Sequence, residues 1–342
     1  MTDLRWRLAD DDAGQGALFE QEVERHVGRG EFRGMEFLHV RAGRMINEVP
    51  KASRMPFRWT INAYRGCSHA CTYCFARPTH EYLGLNSGDD FDRRIVVKVN
   101  AVERVRAELA PRRWAGDHVA MGTNTDPYQR CEGKYRLTRG IVAELSAAAN
   151  PFSILTKSTL VLRDLDLLAE AARVTDVRAN FSIGTLDEEV WRLTEPGTPH
   201  PLRRVEAVAR LNQAGVPCGV LVAPVLPGLS DGPGQLEAVV KACVEAGARS
   251  ISPILLHLRP GVREHYLSWL VGARPDLVDR YRSLYPRSYA PAKTQDELGA
   301  AVRAMVERHG GRPARPGQAR AVEARPRRPP VRARASQLQL GM

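Results

Sequence analysis

The stretch Asn62-Ala63-Tyr64-Arg65-Gly66-Cys67-Ser68-His69-Ala70-Cys71-Thr72-Tyr73-Cys74-Phe75-Ala76-Arg77 decides how this 342-residue chain is read. It places Cys67, Cys71 and Cys74, three of the six cysteines, within eight residues. Thiolates are soft ligands that suit zinc and iron–sulfur clusters. A structural zinc site takes four ligands, usually as two close pairs, and no second pair follows here. Three thiolates can hold three corners of a cubane and leave the fourth iron free for a chelating substrate. Gly66 lets the backbone turn tightly into the loop. Zinc stays open as the alternative on the spacing alone. Cys218, in an apolar strand pattern, and Cys243, among Ala and Val of a helix pattern, read as core packing. Cys131 falls in a loop and has no assigned role.

Outward from this stretch the chain alternates. Strands are expected at residues 58–64, 118–122, 152–156, 177–183, 216–222 and 250–256, with a further one at 36–40. Helices are expected at 102–109, 138–149, 164–173, 201–214, 234–246 and 294–309. Stops such as Pro111, Asn150-Pro151, Gly215 and Gly247 bound them. Short apolar strands alternating with helices argue a parallel sheet, and right-handed crossovers wind it into an open sheet or a barrel. The expected organisation is an N-terminal extension at 1–50, loosely structured, then a barrel domain at 51–285. A C-terminal helix follows at 286–309, then a disordered Arg/Pro-rich tail at 310–342.

Composition sets limits. At 43 % hydrophobic residues the chain can build a sizeable core, yet no apolar run is long enough for a spanning helix. Asp10-Asp11-Asp12 stands where a secretory leader would be apolar, so a cytoplasmic protein without a membrane partner is expected. Net charge is +11, and the stretch from Gly310 onward supplies +7 through eight arginines and one glutamate. Such a tail suits a polyanion; a compositional bias that writes Arg and Pro into any unconstrained tail is the alternative. It ends in Gln337-Leu338-Gln339-Leu340-Gly341-Met342. This hexapeptide resembles the short peptides by which bacterial repair proteins dock onto the replisome sliding clamp.

The C-x3-C-x2-C spacing after a strand, with Tyr73 before the last cysteine, resembles the radical S-adenosylmethionine (SAM) family. The residues around it resemble the spore photoproduct lyase-like branch of predicted DNA repair proteins, nearest an actinobacterial subgroup. Gly122-Thr123-Asn124-Thr125-Asp126-Pro127-Tyr128-Gln129, Thr156-Lys157-Ser158 and Pro224-Val225-Leu226-Pro227-Gly228 extend the likeness over residues 56–270. The resemblance implies an α/β fold, a partial (β/α)6 TIM-type barrel. It implies a [4Fe–4S] cluster on Cys67, Cys71 and Cys74, and SAM cleaved reductively to a 5′-deoxyadenosyl radical. The electron would come from a one-electron reductant such as flavodoxin or ferredoxin, and the substrate class would be nucleic acid. Carried over residue by residue, Tyr73 packs against SAM, and Asn124 meets its amino end. Lys157, with Arg163 next in line, pairs with its carboxylate. Ser182 binds the ribose, and Val225 and Leu226 frame the adenine.

Two departures stand out. Most of the family has a Gly-Gly-Glu-like turn where this chain has Gly122-Thr123-Asn124-Thr125-Asp126. The lyase has a hydrogen-donating cysteine where this chain has Gly122, and Cys131 is the nearest thiol. His69 is expected to tune the cluster or fix its loop. His80-Glu81 and Asp89-Asp90 are expected to hold the following loop, and Tyr128, Glu132, Glu195 and His257 to face the barrel mouth. Two rival functions remain at this point: the same chemistry on a protein or small molecule, and a non-catalytic iron–sulfur module.

Overall fold

Apolar residues spaced two apart explain the central strands: Phe152, Ile154 and Thr156 are buried on one, and Val177, Ala179 and Phe181 on the next. Burying each phenylalanine contributes about 2–3 kcal/mol. The computed structural model describes residues 23–50, 53, 55–110 and 114–312. The strands are β1 (Glu24–Val27), β2 (Glu36–Val40), β3 (Asn47–Glu48), β4 (Trp59–Ile61), β5 (Tyr64–Arg65) and β6 (Arg94–Lys98). Then come β7 (Val119–Met121), β8 (Phe152–Thr156), β9 (Val177–Ser182), β10 (Cys218–Val225) and β11 (Ile251–Leu255).

Seven of these form one sheet in the order β11-β10-β9-β8-β7-β4-β3. From β4 to β11 every neighbouring pair is parallel; β3 adds antiparallel at the edge. Helices Leu137–Ala147, Leu165–Val174, Pro201–Gln213 and Pro233–Glu245 connect successive strands from β7 onward. Helix Ala101–Leu109 precedes β7, and Ala292–Arg308 packs back on β11 and on Pro233–Glu245. Six parallel strands in chain order, each followed by a helix, make the partial (β/α)6 barrel that the alternation and the resemblance imply. All their carboxyl ends open on one face, where barrel enzymes place their working residues.

Two local expectations are corrected. The stretch 58–64 is not one strand. Asn62 turns its side chain onto the end of β7, where Nδ2 donates to Thr123 Oγ1 at 3.0 Å and Oδ1 accepts from the Asn124 N–H at 3.1 Å. The chain therefore leaves the barrel sheet after β4 and enters a second sheet as β5. That sheet has the order β1-β2-β6-β5. It also corrects the reading of the N-terminal extension as loosely structured: β2 pairs in parallel with β6 and carries buried Phe37, Leu38 and Val40. The tail beyond residue 312, with its clamp-like hexapeptide, lies outside the described residues. Among the described residues no helix is long and apolar enough to cross a membrane.

Candidate active site

The cysteine loop begins where the chain has crossed between sheets. Gly66 has φ +82°, and a Cβ there would sit 2.8 Å from His80 Cε1 and 2.9 Å from the Phe91 carbonyl oxygen, so only glycine fits. The Cys67 N–H donates to that same carbonyl at 2.9 Å. Arg77, 1 % exposed, clamps the loop from below. Its guanidinium donates to the Cys71 carbonyl oxygen (Nε 3.0 Å, Nη2 2.9 Å), to the carbonyls of Ser87 and Gly88, and to Asp92. On the other side the Thr72 N–H donates to Thr194 O and the Gly197 N–H to His69 O, both at 3.0 Å. Gln129 closes the turn: its amide nitrogen donates to Gly66 O at 3.0 Å while its amide oxygen accepts from the Ser68 N–H, also at 3.0 Å.

Cys67 and Cys71 are buried, Cys74 is half-buried, and all three thiols are free. Burial pushes each pKa up. At Cys67 the negative charges of Asp126 and of the other two thiols add to it; at Cys71, Glu195 does. Left to themselves these thiols stay protonated, so the donor set fits a cationic centre that pulls the protons off. Among the described residues the one trio of ligand atoms all within 4.8 Å of each other is elsewhere, on Glu24, His26 and His39. Ser68 Oγ and Thr72 Oγ1, buried on the same loop, make no hydrogen bond within the protein. A multi-iron cluster with acceptor sulfides fits these residues.

Beside the loop, residues from four strand ends converge. Lys157, just past β8, donates from Nζ to Ser182 Oγ at the end of β9 (2.5 Å) and lies 3.8 Å from Glu195 Oε1. Its ammonium also stands 5.7 Å from the centre of the Tyr73 ring. Ser182 Oγ in turn donates to the Ala223 carbonyl of β10 at 2.6 Å. Glu195 is the hub. It accepts a hydrogen bond from the Tyr73 hydroxyl and pairs with Arg204 Nη2 at 2.5 Å. Burial works against its charged form, but Arg204 and Lys157 prevail and hold the carboxyl at about 2. Past β7, Asp126 accepts from the Thr156 hydroxyl (2.6 Å) and the Lys157 N–H (2.7 Å), with His69 Nδ1 at 3.4 Å. Burial opposes ionisation there too, yet His69 and these donors leave its pKa lowered. His69 thus joins the cysteine loop to the β7 and β8 ends.

The structure therefore brings Tyr73, Lys157 and Ser182 together next to the three cysteines. Leu226 packs in the same apolar cluster as Cys71 and Tyr73, whereas Val225 belongs to the main core. Asn124 is exposed, with its N–H held by Asn62. Arg163 is committed elsewhere, to Asp164 and Glu132 at 2.7 Å each. Two expectations are corrected: Tyr128 and Glu132 do not face the barrel mouth. Both are fully buried, because Glu132 is the anchor for Arg163, the Tyr64 hydroxyl and the Thr138 N–H. Cys131, fully buried in the main core, presents no thiol to the mouth. His257 lies between Phe75 of the cysteine loop and Tyr289, and His80 Nε2 meets the Arg94 carbonyl at 2.9 Å. Arg204 and Arg77 were not singled out in the sequence; neither lies in a pattern that marks it apart from the chain's other arginines.

A partial (β/α)6 barrel with three converging thiols at its strand ends defines a class, and comparison names it. The chain belongs to the radical SAM superfamily, which it matches over residues 61–242. The cofactors of that superfamily are a [4Fe–4S] cluster and SAM. An uncharacterized protein of Mycobacterium tuberculosis is 44% identical over 300 residues, covering 87% of this chain and 88% of the relative. A solved spore photoproduct lyase mutant shares the fold at TM-score 0.57 and 19% identity, covering 79% of this chain and 78% of that one. A second lyase mutant, solved with bound SAM and a dinucleoside spore photoproduct, superposes at TM-score 0.54 and 17% identity, with 76% of each chain covered.

Proposed function

We propose that this chain is a radical SAM enzyme that acts on nucleic acid in a repair-like reaction. When bound, the cluster and SAM supply a one-electron cleavage that yields a 5′-deoxyadenosyl radical, the electron coming from a flavodoxin- or ferredoxin-type reductant. The observation that carries the reading is the meeting of the Cys67, Cys71 and Cys74 loop with Lys157, Ser182 and Tyr73 at the strand ends. Cys67, Cys71 and Cys74 hold the cluster. Lys157 pairs with the SAM carboxylate, a charge-assisted contact in a place largely shut off from water. Ser182, already bonded to Lys157, takes a ribose hydroxyl. Tyr73 and Leu226 form the apolar wall and, with Val225, the adenine side; Asn124 meets the amino end from the open side. Glu195 keeps the Tyr73 ring and the Lys157 ammonium in register.

Two features support nucleic acid as the substrate class: the net charge of +11, more than half of it from the arginines beyond residue 312, and a lyase of the same fold solved with a bound dinucleoside spore photoproduct. The hexapeptide ending at Met342 offers apolar anchors for a clamp pocket and would deliver the enzyme to DNA. Anaerobic reconstitution followed by measurement of 5′-deoxyadenosine release tests the reading. Release stimulated by damaged DNA or by RNA is expected. Release stimulated only by protein, or none at all with cluster and SAM bound, overturns it.

A further inference from the structure

On the second sheet two strands bring a different donor set together. β1 and β2 are antiparallel, with Glu24 opposite His39 and His26 opposite Phe37. The period of two puts Glu24, His26 and His39 on one face. Their ligand atoms all lie within 4.8 Å of one another. The two imidazole rings stand 4.0 Å apart, tilted by 34°. His26 Nε2 is 2.9 Å from Glu24 Oε1, yet this nitrogen is buried and makes no hydrogen bond of acceptable geometry. An imidazole nitrogen and a carboxylate oxygen this close, with a second imidazole beside them, can face one ion.

We propose that Glu24, His26 and His39 bind a divalent first-row metal ion, of which zinc is the natural choice for two imidazoles and one carboxylate. The second partner of His39 agrees with this. His39 Nε2 lies 2.7 Å from the Tyr135 hydroxyl. The tautomer with its hydrogen on Nε2 would donate to the phenol oxygen and leave Nδ1 for the ion. An oxygen acceptor behind the ligating histidine is the usual arrangement in metal sites. Three protein ligands leave one position for water.

The role follows from the place. β1 is a four-residue edge strand with β2 as its one partner in the sheet. Short edge strands fray easily. An ion shared by Glu24 and His26 of β1 and His39 of β2 fastens the edge to the sheet that launches the cysteine loop through β5.

The test uses the full chain with its cluster reconstituted, so that the loop thiols are occupied, and zinc chloride titrated by calorimetry. One equivalent is expected to bind, and binding is expected to raise the melting temperature. Replacement of the ion by cobalt should give visible d–d bands without a thiolate charge-transfer band. His26→Ala and His39→Ala should each abolish the stoichiometric binding, and Tyr135→Phe should weaken it about 10–100-fold. Glu24→Gln, at an exposed position, should weaken it without changing the melting temperature of the ion-free protein. The triple variant Cys67→Ala/Cys71→Ala/Cys74→Ala should keep the ion. Binding that survives in both histidine variants, or that is lost with the cysteines instead, overturns the proposal, as does the lack of a stoichiometric site.

Discussion

A Cβ on Gly122 would stand 2.0 Å from the carbonyl oxygen of Leu155, on the neighbouring strand. Gly122 also has φ +90°, a conformation that side chains other than hydrogen rarely adopt. A cysteine at this turn, where the lyase has its hydrogen donor, would therefore have no room in this chain. Gly122→Ala should cost about 3 kcal/mol or more, since backbone strain and a clash with backbone add. Gly215→Ala, at φ +81° with nothing within 4 Å of the new carbon, should cost only about 1–2 kcal/mol. Urea unfolding of the two variants measures the contrast; equal losses would mean that the β7 end can spread.

Reconstituted protein should hold about four irons and about four sulfides per chain. Ala at Cys67, Cys71 or Cys74 should abolish this content. Ala at Cys218 or Cys243, both buried in the main core, should leave it intact. Iron and acid-labile sulfide assays read the result, and tightly bound zinc without sulfide would contradict the cluster reading.

Lys157→Ala should weaken SAM binding about 10–100-fold, the worth of one charge-assisted hydrogen bond, with iron content unchanged. Equilibrium binding to the reconstituted protein is the measurement. Wild-type affinity in the variant would place the carboxylate contact elsewhere.

The Glu195 carboxyl, held at about 2, has a pH signature. Its folded pKa is below the ordinary value of 4.5, so its stabilisation is complete above about pH 4.5 and is lost as pH falls toward 2. Glu195→Gln, which leaves Arg204 buried without its partner, should cost about 3–5 kcal/mol at neutral pH. The gap between wild type and variant should narrow by about 3 kcal/mol between pH 4.5 and pH 2. A gap independent of pH across that window would remove the ion pair as its cause.

Removing residues 313–342 takes away seven arginines. Affinity for duplex DNA should fall, and each lost phosphate contact should flatten the slope of log K against log salt by about 0.9. Removing only 337–342 should leave that slope alone and abolish binding to a sliding clamp. Unchanged DNA affinity in the longer truncation would confine the nucleic-acid contacts to the barrel.

Much of this protein was legible from local pattern. The spacing of Cys67, Cys71 and Cys74 acts over eight residues, within one loop, so the family it points to needs no fold to be read. The strand–helix alternation is likewise local, since apolar period and stop residues mark each element, and parallel crossovers leave few ways to assemble them. What the tertiary structure alone decided are the meetings of residues far apart in the chain. Glu195 reaches Tyr73 across 122 positions and Arg204 from a separate helix, and no local period records either contact. The split of 58–64 between two sheets depends on Asn62 finding Thr123, 61 residues on. Glu132 looked available for chemistry as a single acidic letter, but packing buried it against Arg163. The Gly122 clash is set by the Leu155 carbonyl, a backbone atom of another strand whose approach is fixed by sheet register and carries no side-chain signature in the sequence.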